Sequence, residues 1–354
     1  MPVNGRRMSY RDRFRLRNRL LRLTLLYIAI AAAASFAVLF VLNNTASALA
    51  AQQPAPTPSA TPTPAPTPTP TNPYAYQITG VPQDAKEVYF SHDGKYLIYR
   101  NGNSLTVMDT QANRMLKTID DPAMTWARFI DDRDIVLYLT LQENSVGVNT
   151  YDIESGVQAK QTSFTVPANS KIKSAAFSSV KNYLCVNVET GTDSFSDEVY
   201  TVDVMKRTAR LTLQNMINNM VVLSRTEKVY YTNGKGLLYF GDTAVSDTGE
   251  GTLLGRDARD KVYFQTSADR GTVHVVADGK RESTLQLTDI PNLVTFCNTN
   301  SGVYAIYDGF IVDLSKDAAA QIPFDKALDF VGIGGQNVFF RNAAGEILGI
   351  ELLK

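Results

Sequence analysis

Residues 87–119 read EVYFSHDGKYLIYRNGNSLTVMDTQANRMLKTI. Four apolar runs alternate here with turn-forming clusters. Val88, Tyr89 and Phe90 lead into Ser91-His92-Asp93-Gly94. Residues 96–99 lead into Asn101-Gly102-Asn103-Ser104. Residues 105–108 end at Asp109, and residues 115–119 make the fourth run. Short runs rich in β-branched and aromatic residues, bounded by Gly, Asn, Asp and Ser, are strand and hairpin signals. One sheet of four short strands cannot bury both its faces alone, so the unit needs copies of itself to pack against.

Degenerate copies fill the rest of the chain. If the second strand of each unit is the marker, units recur with second strands starting at Tyr96, Ile135, Tyr183, Val229, Val262, Val303 and Val338. Their mean spacing is near 40 residues, the period of a four-stranded propeller blade. A second marker is an aspartate closing the third strand: Asp109, Asp152, Asp203, Asp242, Asp278 and Asp313. A short acid there can accept backbone N–H groups further along and close the turn. These residues are read as turn formers rather than a ring of ligands.

FSHDGKYLIYR, residues 90–100, resembles the FSPDGKYLAY signature of the TolB-type and WD40-like propeller superfamily, with His92 in place of the proline. TYDIESG, residues 150–156, is similar to that group's third-strand ending. The resemblance implies an all-β, seven-bladed β-propeller over residues 76–354. It says little of function, because such propellers serve unrelated roles. The Trp-Asp pair of WD40 repeats is absent, and the only tryptophan, Trp126, falls in an expected first strand. The last unit supplies three clear strands, so Gln77, Ile78 and Thr79 are expected to provide its fourth and close the ring.

Ahead of the propeller lie three segments of different composition. Residues 43–75 form a linker whose part 54–73, PAPTPSATPTPAPTPTPTNP, alternates proline with Thr, Ala or Ser. Proline fixes φ and removes an amide donor, so extended polyproline II is expected, reaching roughly 60 Å for twenty residues. Residues 23–42, LTLLYIAIAAAASFAVLFVL, carry no charge. Such a run is long enough for a transmembrane helix across a hydrocarbon core of ~30 Å. Residues 1–22 hold eight arginines and one acid, Asp12. The positive-inside rule places this tail in the cytoplasm and residues 43–354 outside, as a single-pass protein of the cell membrane. The alternative is secretion after cleavage near Ala50, where Ala48-Leu49-Ala50 has a cleavage-site pattern. The cluster is read as a topology signal rather than a partner site.

The chain has 35 basic and 35 acidic residues. Without the tail, 27 basic and 34 acidic residues remain, a formal charge of −7, which argues against nucleic acid as a partner of the body. Two cysteines, Cys185 and Cys297, fall in different units and are expected to be free thiols packed as small hydrophobes. Two histidines, His92 and His274, offer little for an imidazole metal site. No Gly-x-Ser-x-Gly elbow, phosphate loop or metal-spaced Cys/His cluster occurs.

The densest acidic loop, residues 189–198 (ETGTDSFSDE), joins the second and third strands of the third unit and carries Glu189, Asp193, Asp197 and Glu198. Those four are the candidate partner contacts, set against a solvated hairpin tip. A calcium loop would alternate oxygen ligands around a glycine, and this one does not. No cofactor, metal or catalytic residue is assigned. The expected function is a non-catalytic binding or scaffold module for protein or cell-envelope glycan. A propeller glycosidase or lyase with acids at the central channel, and a sensor signalling through the basic tail, are the alternatives.

Overall fold

The structure is a computed structural model. It describes residues 76–130, 132–178, 180–190, 196–203, 205–211, 213, 216–299, 302–316 and 321–352. The chain divides into two compact units, Met1–Thr69 and Pro70–Lys354, and every described residue lies in the second. The basic tail, the apolar run, the Pro/Thr-rich linker and Asp193 lie outside the described residues. Among those described, no helix is long and apolar enough to cross a membrane.

Seven four-stranded antiparallel sheets follow one another along the chain. Blade 1 comprises Lys86–Phe90, Tyr96–Asn101, Ser104–Asp109 and Arg114–Asp120. Blades 2 to 6 repeat this order, with innermost strands Met124–Phe129, Lys171–Ser178, Ile217–Val222, Gly251–Arg256 and Leu293–Asn298. Blade 7 is built from Asp329–Gly334, Asn337–Arg341 and Ile347–Glu351, and its outer strand is Tyr76–Ile78 from the other end of the domain. Second strands begin at six of the seven marked positions. The seventh starts one residue early, at Asn337. The closing strand likewise lies one residue before its expected place.

Apolar side chains of each sheet point to both faces, and seven core clusters result, each shared by two successive blades. Tyr96, Ile98 and Val107 of blade 1 pack with Ala127, Val136 and Tyr138 of blade 2. The seventh cluster joins blade 7 to blade 1 through Ile78, Phe90, Leu97 and Phe339. The Phe90 and Phe339 rings stack there at 3.7 Å. Gly335 has φ of +60° and lies so close to the backbone of Asp93 that a Cβ would meet it at 2.8 Å. A glycine is needed at that crossing for both reasons. Closing the ring through a strand remote in sequence leaves no free sheet edge at the seam.

The antiparallel order defines two faces. Turns from first to second and from third to fourth strands emerge on one, here the turn face. Turns from second to third strands and the connections between blades emerge on the other, the loop face. Ile78 pairs with Ile347, the first residue of blade 7's third strand, and Tyr76 with Gly349, so the Tyr76 end of the closing strand points to the turn face.

The third-strand aspartates divide into two groups. Asp109, Asp152, Asp203 and Asp313 accept backbone N–H groups two to four residues on, at 2.8–2.9 Å. Asp242 and Asp278 close their turns differently. Each lies inside a two-residue hairpin loop beside a glycine, and Asp278-Gly279 takes left-handed φ at both positions, the geometry that matches strand twist.

Candidate functional site: the central channel

The innermost strands surround a cavity of about 820 Å³ to which all seven blades contribute. Its lining runs from the middle of those strands to their turn-face ends. The walls are mainly apolar, with aromatic rings from Tyr89, Trp126, Phe129, Phe177, Phe296 and Phe330. Its charged or ionisable polar members are few: Arg128, Asp132, Arg256 and His92.

Their surroundings differ. Arg256 is buried, donates to the Val222 carbonyl at 2.9 Å, and lies 3.8 Å from Asp260. Asp132 pairs with Arg133 at 3.6 Å. Arg128, in the innermost strand of blade 2, lies over the Tyr89 ring with its guanidinium carbon 3.5 Å from the centroid, and 5.4 Å from that of Trp126. It donates to the carbonyl of Ala127 at 2.7 Å, and a side-chain hydrogen bond links it to Tyr89. No described carboxylate is within ion-pair distance of it. Burial lowers its pKa from the ordinary value, while Tyr89 and Glu87 favour its charge.

Glu87 is the nearest carboxylate named in that balance, and it is engaged elsewhere. It occupies left-handed φ of 55° at a register shift in the first strand. Its Oε2 lies 3.0 Å from Arg100 Nη1. Arg100 also donates to the Thr125 carbonyl of blade 2 at 2.7 Å. Two guanidiniums, Arg100 and Arg128, therefore share the field of one carboxylate at the seam of blades 1 and 2.

On the turn face of the same seam, His92, Asp93 and Asp134 bring ligand atoms within 4.8 Å of one another. His92 Nδ1 is 3.8 Å from Asp134 Oδ1, a buried oxygen with no hydrogen-bond partner. These are the residues that could hold a metal. Tetrahedral donors at ~2.1 Å from an ion stand roughly 3.4 Å apart, so the group would have to contract. Asp93 Oδ1 already accepts from Ser91 Oγ at 2.6 Å and from the Lys95 N–H at 3.0 Å. Partial burial opposes its charge, but these bonds hold its carboxyl below the ordinary value. Burial, then the charge of Asp93, raises Asp134. Two carboxylates pushed in opposite directions have the form of an acid–base pair, but Asp93 is held as the turn former of its hairpin.

Glu189, Asp197 and Glu198 lie at the loop-face end of blade 3. Glu189 ends the second strand and Asp197 begins the third, paired in register. Asp197 is 4% exposed and meets Lys173 Nζ at 2.9 Å. It also accepts the N–H of Ile217, the first residue of blade 4's inner strand. Glu198 accepts from the Tyr200 hydroxyl at 2.5 Å and pairs with Arg210 at 2.8 Å. Burial and that bond push the Tyr200 phenol up to about 12. Asp197 and Glu198 are thus engaged within the ring rather than solvated at a hairpin tip, because both sit in the strand and not in the loop beyond it.

Cys185 is buried in blade 3, and Cys297 is half-buried in blade 6. Both thiols are free. Burial pushes the Cys297 thiol up to about 12, away from nucleophilic use at neutral pH. His274 is buried, with Nδ1 3.0 Å from Thr284 Oγ.

No family model matches the chain, and no curated protein matches it. A chain in a crystal structure of the Mitotic Checkpoint Complex is similar in fold, with a TM-score of 0.52 and 10% identity over 84% of this chain and 100% of that one. Kluyveromyces lactis Hsv2 aligns over 73% of this chain and 89% of its own at 10% identity, with a TM-score of 0.44. A second Hsv2 structure, with complete loop 6CD, scores 0.45. The likeness to the checkpoint chain is one of architecture. At such identity it extends to fold alone.

Proposed function

We propose that this chain is a membrane-anchored, extracytoplasmic propeller of the TolB-like kind that acts as a non-catalytic binding module. The observation that carries the binding role is the channel cavity, wide, aromatic-walled and lined by Arg128, a cation with no ion-pair partner among the described residues. Concave, mostly apolar sites with a few placed polar groups are where proteins take ligands. The uncharged run 23–42 supplies the anchor and residues 43–75 the reach. The proposed partners are protein or cell-envelope glycan. Glu189, at the loop-face end of blade 3, is proposed as a second contact position, on the opposite face from the channel mouth.

Two measurements test this reading. Protease added to intact cells should release a propeller-sized fragment and leave the arginine-rich tail protected. A propeller that resists cleavage until the cells are permeabilised contradicts the topology. For binding, a photo-crosslinking residue is placed at His92 on the turn face or at Glu189 on the loop face. Light-dependent adducts at either position, identified by mass spectrometry, support a binding module, and their absence at both argues against it.

A further inference from the structure

Resting on the binding-module reading, we infer that the channel takes a ligand with one carboxylate on an aromatic or apolar body, and that Arg128 receives the carboxylate.

The charge at the seam of blades 1 and 2 is unbalanced. Glu87 lies 3.0 Å from Arg100, and Arg128 has no described carboxylate within ion-pair distance. Taking a cation out of water without a counter-charge is costly. Stacking on Tyr89 at 3.5 Å offsets part of that cost and fixes the guanidinium plane. A planar fork held in this way matches a carboxylate with two parallel hydrogen bonds. The cavity's other charged side chains are less available, since Arg256 faces Asp260 and Asp132 faces Arg133. The remaining walls are largely apolar and aromatic, so the part of the ligand beyond its charge is apolar. About 820 Å³ is ample for a ring and its substituents. A polyanion fits poorly, because no second free cation lines the cavity among the described residues.

Trp126 is the only tryptophan of the chain. It lines the cavity, and its ring is 5.4 Å from the Arg128 guanidinium. Its fluorescence therefore reports occupancy without a label. The full-length chain in detergent is titrated with phenylacetate and with phenylacetamide, which has the same ring and no charge. Phenylacetate is expected to change the emission saturably, with phenylacetamide roughly tenfold or more weaker. Arg128→Gln should remove that preference, and Arg128→Lys should restore part of it. Unchanged far-ultraviolet circular dichroism of the ligand-free variants shows that the ring is intact. Gly-Gly-Phe as free acid and as amide separates the sources. Tighter binding of the peptide acid than of phenylacetate points to a peptide C-terminus, and binding of phenylacetate alone points to a small organic acid. Equal affinity for acid and amide, or no saturable response to any probe, overturns the inference. Crosslinking at His92 and Glu189 stands independently of that result, so failure here does not count against the binding module itself.

Discussion

At the loop-face end of blade 3, Asp197 and Glu198 each meet a cation and a second hydrogen-bond donor. At the seam of blades 1 and 2, Arg128 stacks on aromatic rings with no described ion-pair partner, and Asp134 Oδ1 is buried with no hydrogen bond. Both regions read as charge on short strands. In blade 3 the charge ties one blade to the next, since Asp197 accepts the Ile217 N–H of blade 4 while Asn187 donates to the carbonyl of the same residue at 3.2 Å. At the first seam the charge faces a cavity and is left over. Charges that the fold has already satisfied contribute stability, and charges that it leaves unsatisfied are where a ligand gains affinity. Substitutions in the two regions should therefore affect different measurements.

The largest loss of stability is expected from Asp197→Ala. It leaves Lys173 without its carboxylate and removes the acceptor of a buried backbone N–H. Lys173 is about a third exposed, so losing its pair costs less than about 1 kcal/mol, and the orphaned backbone N–H brings the total to about 2 kcal/mol. Asp197→Asn keeps an acceptor for Ile217 and should recover about half of that. Chemical denaturation of the two variants beside the parent checks the order. A parent-like midpoint for the alanine variant would reduce this cluster to surface charge.

Glu198→Gln is the next in size. It weakens the Arg210 pair, whose arginine is well exposed, so the cost is about 1 kcal/mol. Its clearer readout is Tyr200. With the carboxylate gone, the phenol should titrate below its parent value of about 12, because the negative charge that holds its proton is removed and an amide oxygen accepts its hydrogen bond more weakly than a carboxylate does. The tyrosine ring-carbon shifts followed by nuclear magnetic resonance report this directly. An unmoved Tyr200 would mean that burial alone sets its pKa.

The periodic parts of this architecture were legible in the sequence, and the seam was not. Val229, Val262 and Val303 head second strands as read, because a buried second strand must be a continuous apolar run between turns. Asp109 and Asp152 close their turns through local backbone bonds, which depend on neighbours only a few residues away. Arg128 is different. MTWARF identifies a strand, but the importance of its arginine depends on Tyr89 and Glu87, some forty residues earlier and on another blade. The available signal was the pattern itself: an arginine next but one to the chain's only tryptophan, in an innermost strand with no acid. Asp197 was read as part of a loop because its acidity was judged with its neighbours in sequence, whereas its partners, Lys173 and Ile217, lie at the ends of two other strands.

Arg128→Gln sharpens the contrast from the other side. It removes a stacked cation, worth about 1 kcal/mol, and relieves the excess of positive charge beside Arg100. The two effects oppose each other, so the denaturation midpoint should move by less than about 1 kcal/mol while carboxylate binding is lost. A loss as large as that of Asp197→Ala would make Arg128 part of the scaffold and erase the distinction between the two regions.

The smallest effect is expected from Asp134→Asn, and it lies in the pH dependence. Burial and the neighbouring Asp93 charge raise the Asp134 pKa above its unfolded value. The folded protein therefore holds this proton to higher pH than the unfolded chain does. Where the folded state binds more protons, stability falls as pH rises, here from the unfolded carboxylate value through the raised folded one. Asparagine carries no such proton, so this fall should vanish while stability at neutral pH stays level or rises slightly. Melting temperatures of parent and variant across the acid range check this. A shallower acid dependence in Asp134→Asn than in the parent would show that Asp134 is stabilised as the anion, and the turn face of the seam would then belong with the satisfied cluster of blade 3.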